Sequence, residues 1–296
     1  MGRPVIFGEV VFDVYPDGEQ VLGGAPFNVA WHLRGFGLDP LMVTRVGDDE
    51  NGRKIYKLME SWGMDTAGVQ RDLNHPTGTV QVSYRDGEPS FEILPKQSYD
   101  YIEAQRPLIE SLEKQCASLV YHGSLALRSK ANQRSFSQVA SETKAPIFLD
   151  VNLRDPWWSP GSVGEMLKAA RWAKLNDDEL KSLCGDARPE DARDLLKAYS
   201  LDAVIVTKGG QGAFVLTIFG EYFDARPPNA LNIVDAVGAG DAFSAVCIAG
   251  LLLDWSWKIS LERAIAFAVR ICGVKGATTT DRGLYEENCD HWKASS

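Results

Sequence analysis

Cysteine is scarce and unpatterned in this sequence. Five are scattered over 296 residues, at positions 116, 184, 247, 272 and 289, with no C-x-x-C pair. Such a set offers neither a disulfide framework nor a zinc knuckle, and reduced thiols in a cytoplasmic protein are expected. Long apolar runs are missing too. The longest, Ala242 to Leu253, is interrupted by Ser244 and falls short of the ~20 residues that a membrane span needs. Met1 to Ile6 shows no signal-peptide or myristoylation pattern, so a soluble chain with no membrane contact is expected. Positive charge is in deficit: 31 Lys and Arg against 40 Asp and Glu give a net charge of -9. That field repels nucleic acid, but it does not exclude a phosphate held locally by backbone N–H groups or a bound cation. The four histidines (32, 75, 122, 291) lack metal-ligand spacing.

Two phosphate-binding patterns are absent as well. No G-x-x-x-x-G-K-[ST] occurs, which excludes a P-loop. The dinucleotide pattern G-x-G-x-x-G/A fails at its third position, where Phe243 follows Gly238 and Gly240, and Val215 follows Gly210 and Gly212. A nicotinamide-dependent oxidoreductase is therefore disfavoured.

What is there is an ordinary globular composition, 45% hydrophobic and 24% charged. Val5 to Phe12 reads as a buried strand, followed by a helix over 27–36, a strand over 41–46 and a helix through Trp62 that starts at Asp48-Asp49-Glu50. Residues 79–84 and 90–94 alternate apolar and polar around an Asp86-Gly87 turn signal, which predicts a small half-wet sheet shared with part of 9–22. Beyond residue 100, short apolar strands (118–122, 147–151, 173–175, 203–207, 213–216) alternate with helical patterns (103–115, 130–142, 177–184, 189–199, 241–253, 260–275). That order predicts an α/β fold with a mostly parallel sheet covered on both faces. No repeat, low-complexity tract or long linker divides it, so one domain over 1–296 with a β lid at about 9–22 and 77–94 is expected.

Chemistry concentrates at Asp235-Ala236-Val237-Gly238-Ala239-Gly240-Asp241, just before a strongly apolar helix. Small residues at 238–240 allow close backbone approach, and their N–H groups open a helix that can receive phosphate charge. Asp241 stands beside that anion site. Phosphoryl transfer to an alcohol needs both donors for negative charge and a carboxylate to take the hydroxyl proton. Gly-rich turns followed by a capping Asp are also common helix starts, so the motif alone leaves both readings open.

Asp235 to Asp241 resembles the D-T-x-G-A-G-D signature of the ribokinase/PfkB sugar kinases, and Gly23-Gly24-Ala25-Pro26-Phe27-Asn28-Val29-Ala30 resembles their N-terminal G-G-A-x-x-N-x-A. The two lie in the family's order, more than 200 residues apart. The resemblance implies a ribokinase-like three-layer sandwich and assigns roles. Asp241 becomes the catalytic base, with Gly238, Ala239 and Gly240 as the anion hole. Asp13, Gly24 and Asn28 become sugar-binding residues, although a turn residue and a helix-buried amide are the bland alternatives for Asp13 and Asn28. Asn176-Asp177-Asp178-Glu179 matches the family's N-x-x-E, in which Glu179 helps hold Mg²⁺ through water and Asn176 lies near the nucleotide; the same residues form a capping box. Asp150-Val151-Asn152-Leu153-Arg154 resembles the D-x-N-x-R of fructokinase-like members, with Arg154 reaching substrate or phosphate. Thr207-Lys208-Gly209-Gly210-Gln211-Gly212 resembles the T-x-G-x-x-G nucleotide loop, or is a plain hairpin.

Departures narrow the substrate. Ala236 stands where the signature has Thr, Ala25 where ribokinases proper carry Lys, and Val11 where they carry Asn. The last two argue against ribose, and the pattern is most similar to bacterial fructokinases, with 2-keto-3-deoxygluconate kinases sharing much of it. The resemblance thus implies ATP and Mg²⁺, fructose as the acceptor, potassium beside Asp235, and a homodimer paired through the lid. A non-catalytic sugar sensor on the same fold is the reading of a different class.

Overall fold

The computed structural model describes residues 2–85, 88–228 and 233–294; the Asp86-Gly87 turn lies outside them. From the N-terminus, β1 (Arg3–Phe7) leads into β2 (Val11–Val14) and β3 (Gln20–Gly23). Then follow α1 (Ala25–Gly35), β4 (Leu41–Gly47), α2 (Glu50–Trp62), β5 (Val69–Asp72), β6 (Gly78–Arg85) and β7 (Glu88–Ile93). Strand and helix alternate next: α3 (Arg106–Gln115), β8 (Ala117–Gly123), α4 (Lys130–Thr143), β9 (Ile147–Asp150), α5 (Pro160–Ala169) and β10 (Trp172–Asn176). The chain continues with α6 (Asp177–Cys184), α7 (Pro189–Tyr199), β11 (Ala203–Thr207), β12 (Ala213–Thr217) and β13 (Tyr222–Ala225), and ends with α8 (Ala239–Leu252), α9 (Trp257–Cys272) and α10 (Arg282–Ala294).

The large sheet has the order β13-β12-β11-β10-β9-β8-β1-β4-β5. Its pairs are parallel except β11–β12 and β12–β13. Strand periodicity divides its side chains between two cores. Ile6, Met42, Tyr121, Phe148 and Ile205 join residues of α1, α2, α8, α9 and α10 on one face. Val5, Val43, Val120, Leu149 and Val206 join residues of α3 to α7 on the other. Being buried on both faces is why these strands read as continuous apolar runs. The result is the α/β three-layer arrangement expected from the strand–helix alternation.

A second sheet has the order β3-β2-β6-β7. Its β2–β6 pair is parallel and the other two are antiparallel. The apolar stretch Val5 to Phe12, read above as one strand, is two. The chain leaves the large sheet after Phe7 and joins the small one at Val11. Asp49 fastens the small sheet to the body: it caps α2 through Gly52 N–H (2.8 Å) and accepts from Thr77 N–H (2.8 Å) and Thr77 Oγ1 (2.7 Å), just before β6. No helix among the described residues is long and apolar enough to cross a membrane.

Candidate active site

Parallel sheets bind ligands outside the carboxyl ends of their strands, and the residues singled out above gather there. β1 is followed by Glu9, β9 ends at Asp150 and leads to Arg154, β10 ends at Asn176, and β11 ends at Thr207. The N-termini of α1 and α8 face the same end and bring Asn28 and Asp241 together across more than 200 residues. Asn28 Nδ2 donates to Asp241 Oδ2 at 2.8 Å.

Each helix starts at a glycine that the geometry requires. Gly24 caps α1 with φ 107°, and a Cβ there would lie 2.7 Å from the Glu9 carbonyl oxygen. The close approach at Gly24 is thus made by the chain's own backbone. Gly238 caps α8 with φ 78°, and a Cβ there would lie 2.3 Å from Ala277 Cβ. Ala239 N–H donates to Ala236 O at 3.3 Å, whereas the N–H groups of Gly238, Gly240 and Asp241 find no acceptor among the described residues. Unpaired first-turn donors with the helix dipole behind them are groups that can receive an anion. Of Gly238, Ala239 and Gly240, the two glycines thus keep unpaired N–H groups, and Asp241 adds a third.

Burial pushes the Asp241 carboxyl up to about 6. The Asn28 hydrogen bond opposes that rise, the Asp150 charge adds to it, and Lys174 and Arg154 act against it. Asp13, on β2, also rises to about 6 through burial, countered by Arg154. Arg154 is itself exposed, with its charge felt by Asp13 and Asp241.

Behind the anion site lies a buried ion pair. Lys174 Nζ is 3.0 and 3.1 Å from the two oxygens of Asp150, and only 3.2 Å from where a Gly240 Cβ would project. The Ser244 hydroxyl lies 2.8 Å from Asp150 Oδ2 and 3.0 Å from Gly240 O, with one proton to give to either. Burial alone would disfavour the ammonium, but Asp150 and further carboxylates hold Lys174 above its usual range. The pair joins β9 to β10, and Ser244 links it to α8.

Asn176 and Glu179 form a reciprocal cap at α6. Glu179 N–H donates to Asn176 Oδ1 and Asn176 N–H to Glu179 Oε2, both at 2.8 Å. Leu153 N–H donates to Glu179 Oε1 at 2.8 Å. Each carboxylate oxygen thus accepts one main-chain N–H and keeps a further lone pair. Asp235 is similarly engaged, accepting from Val237 N–H (2.9 Å) and Gly276 N–H (3.0 Å). Thr207 to Gly212 turns the β11–β12 hairpin; Gly209 and Gly210 are exposed, and Lys208 Nζ lies 5.4 Å from the Phe214 ring centroid.

Comparison with known sequences matches residues 7–282 to the pfkB family carbohydrate kinase pattern. The chain belongs to the pfkB family of carbohydrate kinases. The probable fructokinase-5 of Arabidopsis thaliana is 31% identical over 94% of this chain and 92% of its own length. The aminoimidazole riboside kinase of Salmonella typhimurium is 27% identical, over 94% and 90%. Among solved structures, fructokinase from Vibrio cholerae O395 in its fructose, ADP and calcium ion bound form superposes with a TM-score of 0.77 at 24% identity, covering 97% of this chain and 98% of that one.

As a pfkB kinase, the chain carries site features that its signatures did not single out. Glu9 is 3% exposed, and burial lifts its carboxyl to about 7, with Arg154 and Arg128 pulling down and Asp241 pushing up. Its only sequence signal is a carboxylate inside an apolar stretch. Lys174 left a similar trace, a lone charge within an otherwise apolar strand. Ser244 left none, because a serine in an apolar helix is unremarkable until Asp150 is placed opposite it.

Proposed function

We propose that this chain transfers the γ-phosphoryl group of ATP to the 6-hydroxyl of fructose, yielding fructose 6-phosphate and ADP. The observation that supports this most directly is the placement of Asp241. Its carboxylate is oriented by Asn28 and stands in the first turn of α8 beside unpaired N–H groups. The hydroxyl oxygen attacks the γ-phosphorus, the bond to the β-bridging oxygen breaks, ADP leaves with that electron pair, and Asp241 takes the hydroxyl proton. Free amides at 238, 240 and 241 stabilise the charge that develops on the transferred group. Arg154 adds positive charge from the exposed side.

Asp13, Gly24 and Asn28 hold the sugar in this reading, and Asn176 with Thr207, Lys208, Gly209 and Gly212 borders the nucleotide. Glu179 would hold Mg²⁺ through water; the ion, when bound with ATP, neutralises phosphate charge. A potassium ion beside Asp235 is a further part of the proposal. The small sheet acts as a lid that excludes water from the transfer. The five cysteines are free, which suits a cytoplasmic enzyme.

ADP release with MgATP and potassium tests the reading across fructose, ribose, 2-keto-3-deoxygluconate, aminoimidazole riboside and fructose 6-phosphate. Fructose is expected to give the highest kcat/KM. Preference for another sugar keeps the mechanism and replaces the substrate. Silence on all of them, with folded protein, sinks the kinase reading in favour of a sugar-sensing protein.

A further inference from the structure

The Gly238 turn, which opens α8, rests on a segment that α1 holds from the other side. A Cβ at Gly238 would lie 2.3 Å from Ala277 Cβ and 2.5 Å from Ala277 Cα, so residue 277 is the surface behind the turn. Gly276 N–H donates to Asp235 Oδ2 at 3.0 Å and fastens the same segment to the start of the motif.

Two consecutive side chains of α1 reach this segment, and both are buried. Trp31 Nε1 donates to Thr279 O at 2.9 Å. His32 Nε2 lies 3.1 Å from Ala277 O, and His32 Nδ1 lies 2.9 Å from Tyr285 Oη on α10. His32 stands four residues beyond Asn28, one turn further along the same face of the helix. One helix therefore touches the Asp241 carboxylate directly, through Asn28, and the turn that carries Asp241 from behind, through Ala277.

The hydrogen positions follow from the partners. Burial pushes the His32 imidazole down to about 3, so the ring is neutral and has one N–H. A carbonyl oxygen only accepts, so that proton sits on Nε2 and points at Ala277 O. Nδ1 is then an acceptor, and the Tyr285 hydroxyl donates to it. Packing alone would not require this chemistry. The ring meets Phe267 edge-on at 5.3 Å, a contact that a phenyl ring could also make.

We propose that His32 is a positioning residue for phosphoryl transfer: its Nε2–H, held in direction by Tyr285, fixes Ala277 and so sets the Gly238 turn relative to Asn28 and the Asp241 carboxylate. It touches no reacting atom. The inference rests on the kinase reading of the same site. Its effect falls on the transfer step, because the donors of the turn act on charge that develops there, and a displacement of about 1 Å can cost on the order of 100-fold in rate.

The test compares His32→Phe, His32→Gln and Tyr285→Phe with the wild type, using the sugar that the wild type turns over fastest. Measured are kcat, the affinities for sugar and ATP by calorimetry, and the melting temperature. His32→Phe keeps a ring against Phe267 and loses the donor; the Gln side chain restores an N–H of similar reach. Expected is a kcat about 10- to 100-fold lower in His32→Phe, both affinities within about twofold, and most of the rate regained in His32→Gln. If His32→Phe does not fold, Tyr285→Phe decides, and a kcat at least about threefold lower at unchanged affinities supports the proposal. Wild-type kcat in a folded His32→Phe, with only the melting temperature lowered, overturns it, as does wild-type kcat in Tyr285→Phe when that variant decides. So does a loss that falls on sugar or ATP affinity instead of kcat, or a Gln variant no faster than the Phe variant. A wild-type chain that turns over no sugar removes the kinase reading and this inference together, and does so before any variant is compared.

Discussion

In the proposed reaction Asp241 takes the hydroxyl proton, and its environment sets when it can act. Its carboxyl, raised to about 6 by burial against the pull of Asn28, must be ionised to accept a proton. Activity therefore grows as pH rises through that value, and kcat/KM is expected to fall about tenfold per unit below it. Glu9 and Asp13 titrate nearby, at about 7 and about 6. Glu9, the weaker acid of the two, is mostly neutral while Asp241 ionises, so Glu9→Gln is expected to leave the acidic limb where it is. A kcat/KM profile that stays flat from pH 5 to 8 would contradict the assignment. Asp241 was legible because small residues and an Asp open an apolar helix and a second signature lies at Gly23 to Ala30; the local pattern alone also fits an ordinary helix start. Glu9 was not, because its significance depends on the chain crossing between two sheets at that point.

At the scale of elements, the alternating strands and helices were readable because two-sided burial gives unbroken apolar strands. The run Val5 to Phe12 defeated the same logic, since both of its halves are apolar and only tertiary pairing separates β1 from β2. Helices α5 and α10 also escaped, the former behind a Trp- and Pro-rich stretch and the latter in a polar C-terminal segment. The turn into α8 is the element on which function depends most. Gly238 has φ 78° and packs against Ala277, so Gly238→Ala must both strain the backbone and push the turn away. Strain of this kind costs about 1–3 kcal/mol. The variant is expected to melt a few degrees lower and to lose at least about tenfold in kcat, because the donors at 238, 240 and 241 move with the turn. Wild-type turnover in that variant would separate the turn from the chemistry.

For the whole molecule, the three-layer architecture places every proposed contact at one end of one sheet, and the small sheet stands beside that end. Its outer strands β3 and β7 have open edges, and Phe91 on β7 is 50% exposed. Edges of this kind invite a partner strand, and the second copy of the chain is the proposed occupant. Sedimentation at micromolar concentration is expected to give a dimer; a monomer would remove that part of the account. Fold class and family were legible from two separated signatures and the alternation between them. Substrate identity was less so, because kinases named for different sugars resemble this chain to a similar degree.

The most direct test compares fructose-dependent ADP release by the wild-type chain and by Asp241→Asn, with ATP affinity measured on both. Asparagine preserves the size of the side chain and an acceptor for Asn28, and removes the base. The expected result is turnover in the wild type and a loss of at least about 100-fold in kcat in the variant, at near-constant ATP affinity. Near-normal turnover by Asp241→Asn would contradict the account at its centre.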